Sequence, residues 1–164
     1  MKKLLIILSI LVVGLIVFFI IFQLNINREK SFTFYYAKQS SIGMGKEQRT
    51  VILEKNKKVK IEKAIFEEYL LGPVNPNLRF DFPSETKIKN FYLVYPRKSV
   101  DLIVDFDEEL AKNITNIDEW TLRAMFETLK ANTKIKRILF LSDGKRIRKK
   151  IGNYNLGELI EIRK

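Results

Sequence analysis

The sequence predicts an α+β protein: an N-terminal transmembrane helix, then one domain with two helices packed on a mainly antiparallel sheet, in the order β-β-α-β-β-α-β-β. Three observations carry that expectation. Leu4–Phe22 is an apolar run broken only by Ser9 and Gly14. Beyond it, short aromatic-rich or alternating segments come in pairs, as strands do. Two segments with helical spacing separate those pairs, an order that favours hairpins with both helices on one face. About 140 residues follow the apolar run, the size of one ordinary domain. The expected divisions are 1–23 as a signal anchor, 24–31 as a linker and 32–164 as the domain.

Leu4–Phe22 is long enough, at about 1.5 Å per residue, to cross a hydrocarbon core of about 30 Å. Lys2 and Lys3 precede it, but Gln23-Leu24-Asn25 supplies no small-residue cleavage site, so an uncleaved anchor is preferred to a signal peptide. A short N-terminal tail before a long C-terminal domain places that domain outside the cytoplasm. Arg28 and Lys30 flank the other end, so the charge rule alone leaves the orientation open.

Phe32-Thr33-Phe34-Tyr35-Tyr36-Ala37 opens the domain as a strand, 38–46 reads as a loop, and Arg49–Lys55 is a second strand around Val51-Ile52-Leu53. From Ile61 the period changes: Ile61, Ile65, Phe66, Tyr69 and Leu70 share a helical face. Leu71-Gly72-Pro73 ends that helix, because Gly suits the left-handed C′ position and Pro cannot continue. Val74–Ser84 is a loop containing Pro76 and Pro83. Thr86–Tyr95 and Ser99–Phe106 are the next strands, the latter with Val100, Leu102, Val104 and Phe106 inward and Asp101 and Asp105 outward. Asn116 with Glu119 has the spacing of a capping box for the second helix, whose apolar face is Ile117, Trp120, Ala124, Met125 and Leu129. Ile135–Leu141 is a strand, Asp143-Gly144 a hairpin turn, Lys145–Ile151 its return, and Leu156–Ile162 a short last segment.

Composition removes much chemistry. The chain has no Cys and no His, so thiol nucleophiles, disulfides, Ser-His-Asp triads and HExxH zinc sites are excluded. Thirty Lys and Arg against nineteen Asp and Glu give a formal charge of +11. The remaining constellations are weak. Gly43-Met44-Gly45-Lys46 lacks the earlier Gly and the following Ser or Thr of a phosphate loop and reads as a plain loop. Asp101, Asp105, Asp107, Glu108 and Glu109 lack the glycine of a calcium loop and read as solvated strand-edge charges. Ser142 with Lys145 would be a Ser–Lys dyad only if the Lys were buried. Trp120, Tyr35, Tyr36, Tyr92 and Tyr95 could stack on sugars, although aromatics at this spacing usually form core. Asn113-Ile114-Thr115 is a glycosylation sequon, relevant only in a eukaryotic secretory pathway.

One run stands out: Lys145, Arg146, Arg148, Lys149 and Lys150. It is either an anionic-ligand patch or a solvated hairpin in a lysine-rich chain. Strand alternation would split it, with Lys145 and Lys149 on one face and Arg146, Arg148 and Lys150 on the other. Lys55, Lys57, Lys58 and Lys60 form a second basic segment with the same two readings.

Several landmarks occur in a family order. They are Phe34-Tyr35-Tyr36, Gln48-Arg49-Thr50-Val51, Ala64 to Leu71-Gly72-Pro73, Phe82-Pro83-Ser84-Glu85-Thr86, Val104-Asp105-Phe106 and Ser142-Asp143-Gly144-Lys145. Together they resemble the GerMN domain, named after a spore-germination protein, over residues 32 to 160. Glu85 stands where that family usually has Gly, and Asn153-Tyr154-Asn155-Leu156 fits its closing segment only loosely. The resemblance implies a non-catalytic, extracytoplasmic cell-envelope module without catalytic, cofactor or metal residues. Its expected partner is another envelope protein or a copy of itself. The alternative is a binder of anionic lipid headgroups or peptidoglycan-associated glycan through the basic hairpin, with nucleic acid disfavoured by the expected location.

Overall fold

The computed structural model describes residues 11–18, 28–53, 60–96 and 99–162. Residues 11–18 are helical (α1) and exposed; the rest of the Leu4–Phe22 tract lies outside the described residues. Among the described residues no helix is long and apolar enough to cross a membrane. Most of the second basic segment, Lys55, Lys57 and Lys58, also lies outside them.

β1 (Arg28–Lys38) pairs antiparallel with β2 (Met44–Leu53) along its length. It starts inside the stretch read as a linker, so the ordered domain reaches back to Arg28. Phe32, Phe34 and Tyr36 alternate inward and are buried. After α2 (Ile61–Leu70), Gly72 takes φ +78°, the left-handed stop that its sequence position implied. β3 (Leu78–Arg79) then pairs with the end of β1. Ahead of β3, the edge of β1 opposite β2 meets the helix α4 (Glu119–Asn132) at Thr33 and Tyr35. The Asn132 side chain accepts from the Thr33 N–H at 3.1 Å and donates to the Thr33 carbonyl at 2.6 Å, and the Thr128 hydroxyl accepts from the Tyr35 N–H at 2.8 Å. These polar helix residues substitute for a missing strand, which explains why Thr128 is wholly buried.

The α+β class and the mainly antiparallel pairing stand, with one parallel pair among the described strands, but the expectation of a single sheet is corrected. A second sheet has the order β10-β6-β5-β4, built from β4 (Ile88–Val94), β5 (Val100–Phe106), β6 (Ile135–Ser142) and β10 (Ile160–Glu161). Its central pair, β5 and β6, is parallel. The physical reason is the crossover: α3 (Glu108–Asn113), a 3₁₀ turn (Ile114–Asn116) and α4 lie between them, enough chain to return to the starting edge. α4 packs on both β1 and β6, and α2 packs on α4 and β2. α4 therefore joins the two sheets.

Other local expectations shift. Glu108 and Glu109, expected as strand-edge charges, instead form the acidic first turn of α3, where carboxylates suit the positive end of the helix dipole. The cap of α4 is Asp118 rather than Asn116: its carboxylate accepts from the Thr121 N–H at 2.7 Å, and Glu119 becomes the first helical residue. Asp101 and Asp105 are buried, not outward into water, because β5 is an interior strand flanked on both sides. Trp120 is only half-buried, with Leu122 and Phe126 taking its expected place in the core. The aromatics otherwise form a continuous interior. Tyr36 stacks on Tyr69 at 4.9 Å, Phe80 on Phe82 at 5.3 Å, and Phe106 on Phe140 at 6.3 Å.

Candidate functional site

The basic run begins at the end of β6. Asp143 (φ +50°) and Gly144 (φ +73°) make the tight turn expected from their sequence, because consecutive left-handed residues match the twist of a hairpin. The turn is pinned from three sides. The Asp143 N–H donates to the Phe106 carbonyl at 2.9 Å, the Gly144 N–H donates to the Asp105 carboxylate at 2.8 Å, and Lys89 pairs with Asp143 at 2.5 Å. Ser142 is buried and its hydroxyl donates to the Asp107 carbonyl at 2.9 Å, while Lys145 is exposed beside the turn. The Ser142–Lys145 dyad is therefore not built.

The expected return to Ile151 is also corrected. β7 (Lys145–Arg146) pairs with β6 for only two residues, and the chain then leaves to form β8 (Lys150–Ile151), which pairs with β9 (Tyr154–Asn155). Ile147 and Ile151 are buried, so they anchor the crossing while Arg148, Lys149 and Lys150 project outward. The split by strand alternation fails for the same reason: no strand continues. Instead, Arg146, Arg148 and Lys149 line both of two open depressions of about 500 and 490 Å³. Lys150 lines the first and Lys145 the second. The structure thus brings the five sequence-selected cations onto one surface.

The other candidates resolve into structural roles. Met44, Gly45 and Lys46 belong to β2, and Leu78 Cδ2 packs where a Cβ on Gly45 would stand. Asp101 makes a two-point contact with Arg137, at 2.9 and 2.5 Å. Asp105 also accepts from the Asn90 amide at 3.1 Å. Glu108 and Glu109 both pair with Lys112. Among the described residues no three acidic side chains are grouped to hold a metal ion. Tyr36 is core, whereas Tyr92 and Tyr95 are exposed.

A network missed in the sequence lies behind β2. Arg49 points inward beneath Phe34 and Tyr36, with its guanidinium 5.5 Å from each ring. It bonds the carboxylates of Glu47 and Glu68 and the carbonyl of Gly72. Glu47 in turn accepts the Val74 and Asn75 N–H groups at 3.2 and 3.1 Å. Burial acts to raise the pKa of Glu47, but those amides and Arg49 outweigh it and hold it below the ordinary value. The available signal was the alternation that puts Glu47, Arg49 and Val51 on the same face of a strand.

The sequence landmarks thus meet as latches: Arg49 holds the Leu71-Gly72-Pro73 stop, and Asp105-Phe106 holds the Asp143-Gly144 turn. The family described as "Germane: Sporulation and spore germination" matches residues 33–148, more than two-thirds of the chain and all four of those landmarks. The chain belongs to the Germane family. Among solved structures, the tandem GerMN domains of the sporulation protein GerM from Bacillus subtilis share its fold. That match has a TM-score of 0.51 and 21% identity, and covers 71% of this chain and 40% of that one. A Clostridium perfringens protein provisionally named a lipoprotein aligns with a TM-score of 0.49 and 18% identity, over 82% of this chain and 87% of its own. No curated protein matches the sequence. As a Germane domain, the chain is linked to sporulation and spore germination at the level of its family.

Proposed function

We propose that this Germane domain is a non-catalytic interaction module, tethered by Leu4–Phe22 and held outside the cytoplasm, that pairs with another envelope protein or a second copy of itself. The observation that carries this reading is the outer edge of β4. β4 is the last strand of its sheet, and no strand among the described residues pairs with its outer side. Towards its end the strand exposes apolar and aromatic side chains: Tyr92 is 51% exposed, Val94 44%, and Tyr95, just past the strand, 62%, while Lys89 and Asn90 are the exposed polar residues at its start. An unpaired strand edge offers backbone donors and acceptors in register, and such aromatics supply contact area. Neither the buried acids nor the pinned Ser142 leaves a group free for covalent or acid–base work.

The test uses the absence of cysteine. Tyr92→Cys and Ile42→Cys each introduce a single thiol in the full chain, one at the β4 edge and one on a remote loop that is 85% exposed. A membrane-impermeant maleimide should label Ile42→Cys in intact spheroplasts. A thiol cross-linker should give a discrete adduct from Tyr92→Cys and not from Ile42→Cys. Labelling only after lysis would refute the location, and equal adducts from both sites would refute the edge.

A further inference from the structure

We propose that the paired depressions around Arg146, Arg148 and Lys149 form a binding trough for an extended phosphate-bearing polyanion. Three features point to it. First, the charge is uncompensated. Among the described residues none of the five cations from Lys145 to Lys150 has an ion-pair partner, whereas Arg49, Arg79, Lys89, Lys112, Arg123 and Arg137 all do. Of the carboxylates bordering the trough, Glu108 pairs with Lys112 and Asp143 with Lys89, while Glu158, on the rim of the first depression, bonds the neutral Asn155 amide. Two of these three carboxylates are thus taken by other lysines, leaving five cations against the single charge of Glu158.

Second, the shape suits a chain more than a small molecule. Two open depressions share three cationic residues, so the charges continue from one into the other without a wall to enclose a ligand. The backbone beneath is fixed by buried Ile147 and Ile151 and by the pinned Asp143-Gly144 turn. Two of the charges are guanidinium groups, whose fork of donors fits phosphate oxygens.

Third, the trough lies at the end of the domain away from the entering chain. β1 runs antiparallel to α4. Thr33 bonds Asn132 at the last turn of α4, and Arg79, paired with Ala37 of β1, bonds Asp118 at its cap. Arg28 therefore lies towards the C-terminal end of α4. The trough instead adjoins the residues just before α4, Glu108 to Thr115, and the β8–β9 turn whose Asn153 reaches Glu119 at 3.4 Å. Fourteen helical residues at about 1.5 Å each separate the two ends by roughly 20 Å. On the tethered reading, this direction favours a polymer over the headgroups of the anchoring membrane. The trough itself does not depend on that reading, because its test is made on purified protein.

The experiment compares three probes with the full chain in an uncharged detergent: linear inorganic polyphosphate, orthophosphate, and phosphatidylglycerol vesicles. Polyphosphate should bind, and its log affinity should fall with log salt at a slope of up to about 3.5 for five cations. Arg148→Gln/Lys149→Gln should weaken it on the order of 20-fold at about 0.1 M salt. The charge-matched control Lys134→Gln/Lys136→Gln lies at the start of β6, by the other end of α4, and should change binding little. Thermal unfolding of both variants should follow the parent, since all four side chains are exposed. Equal losses from the two variants would reduce the effect to net charge and overturn the site. So would salt-independent binding, orthophosphate binding as well as polyphosphate, or tighter binding to the vesicles.

Discussion

Arg49→Ala tests whether the inward network behind β2 fastens the helix stop to the sheet. The side chains of Arg49 and Glu47 are only 10% and 12% exposed, so removing the arginine leaves the Glu47 charge in a nearly dry site. Breaking a buried pair by deleting one partner costs about 3–5 kcal/mol. The lower end applies here, because the Val74 and Asn75 amides still serve Glu47 and the Glu68 side chain, 25% exposed, can reach water. Loss of the guanidinium beneath Phe34 and Tyr36 adds about 0.5–1 kcal/mol. The expected total is about 3–4 kcal/mol, or a fall in Tm of roughly 10 °C for a domain of this size. Urea unfolding followed by circular dichroism measures it. Arg49→Met paired with Glu47→Gln should recover much of the loss, since it removes the stranded charge rather than creating one. Acid dependence gives a second readout. Because the pKa of Glu47 is lowered on folding, its contribution is complete above about pH 4.5 and is lost as pH falls through the folded value. Arg49→Ala should shrink that acid-labile part. A destabilisation below about 1 kcal/mol, or a double variant worse than the single one, would refute the network as a latch.

Two further outcomes follow from the same physical chemistry. Asp118→Ala removes the carboxylate that accepts the Thr121 N–H and pairs with Arg79, and should cost about 1–2 kcal/mol in thermal or urea unfolding. Tyr36 and Tyr69 are buried as neutral phenols, and desolvation, the largest cause in each, raises both pKa values above 10.0. Their contribution is complete below pH 10 and is lost as pH rises further, so tyrosinate absorbance from these two rings should appear only together with alkaline unfolding.

The sequence by itself determined the elements whose cause is local. The period change at Ile61, the Gly72 stop and the Asp143-Gly144 turn depend on side-chain spacing or on a left-handed φ, and each stands where the residues placed it. The aromatic-rich run from Phe32 to Ala37 was legible as a strand, and the ordered landmarks pointed to the family. What tertiary structure alone decided is neighbourhood. Asp101 and Asp105 alternate like surface charges, but β4 and β6 on either side of β5 bury them, and no local pattern reveals which strands will flank a given one. Thr128 and Asn132 look like ordinary polar helix positions until β1 presents an edge that needs hydrogen bonds. The basic residues were legible as a run, yet their gathering on one surface required the chain to abandon β7 after two residues and cross to β8. Periodicity fixes which way a side chain points along its own element; only packing fixes what it meets there.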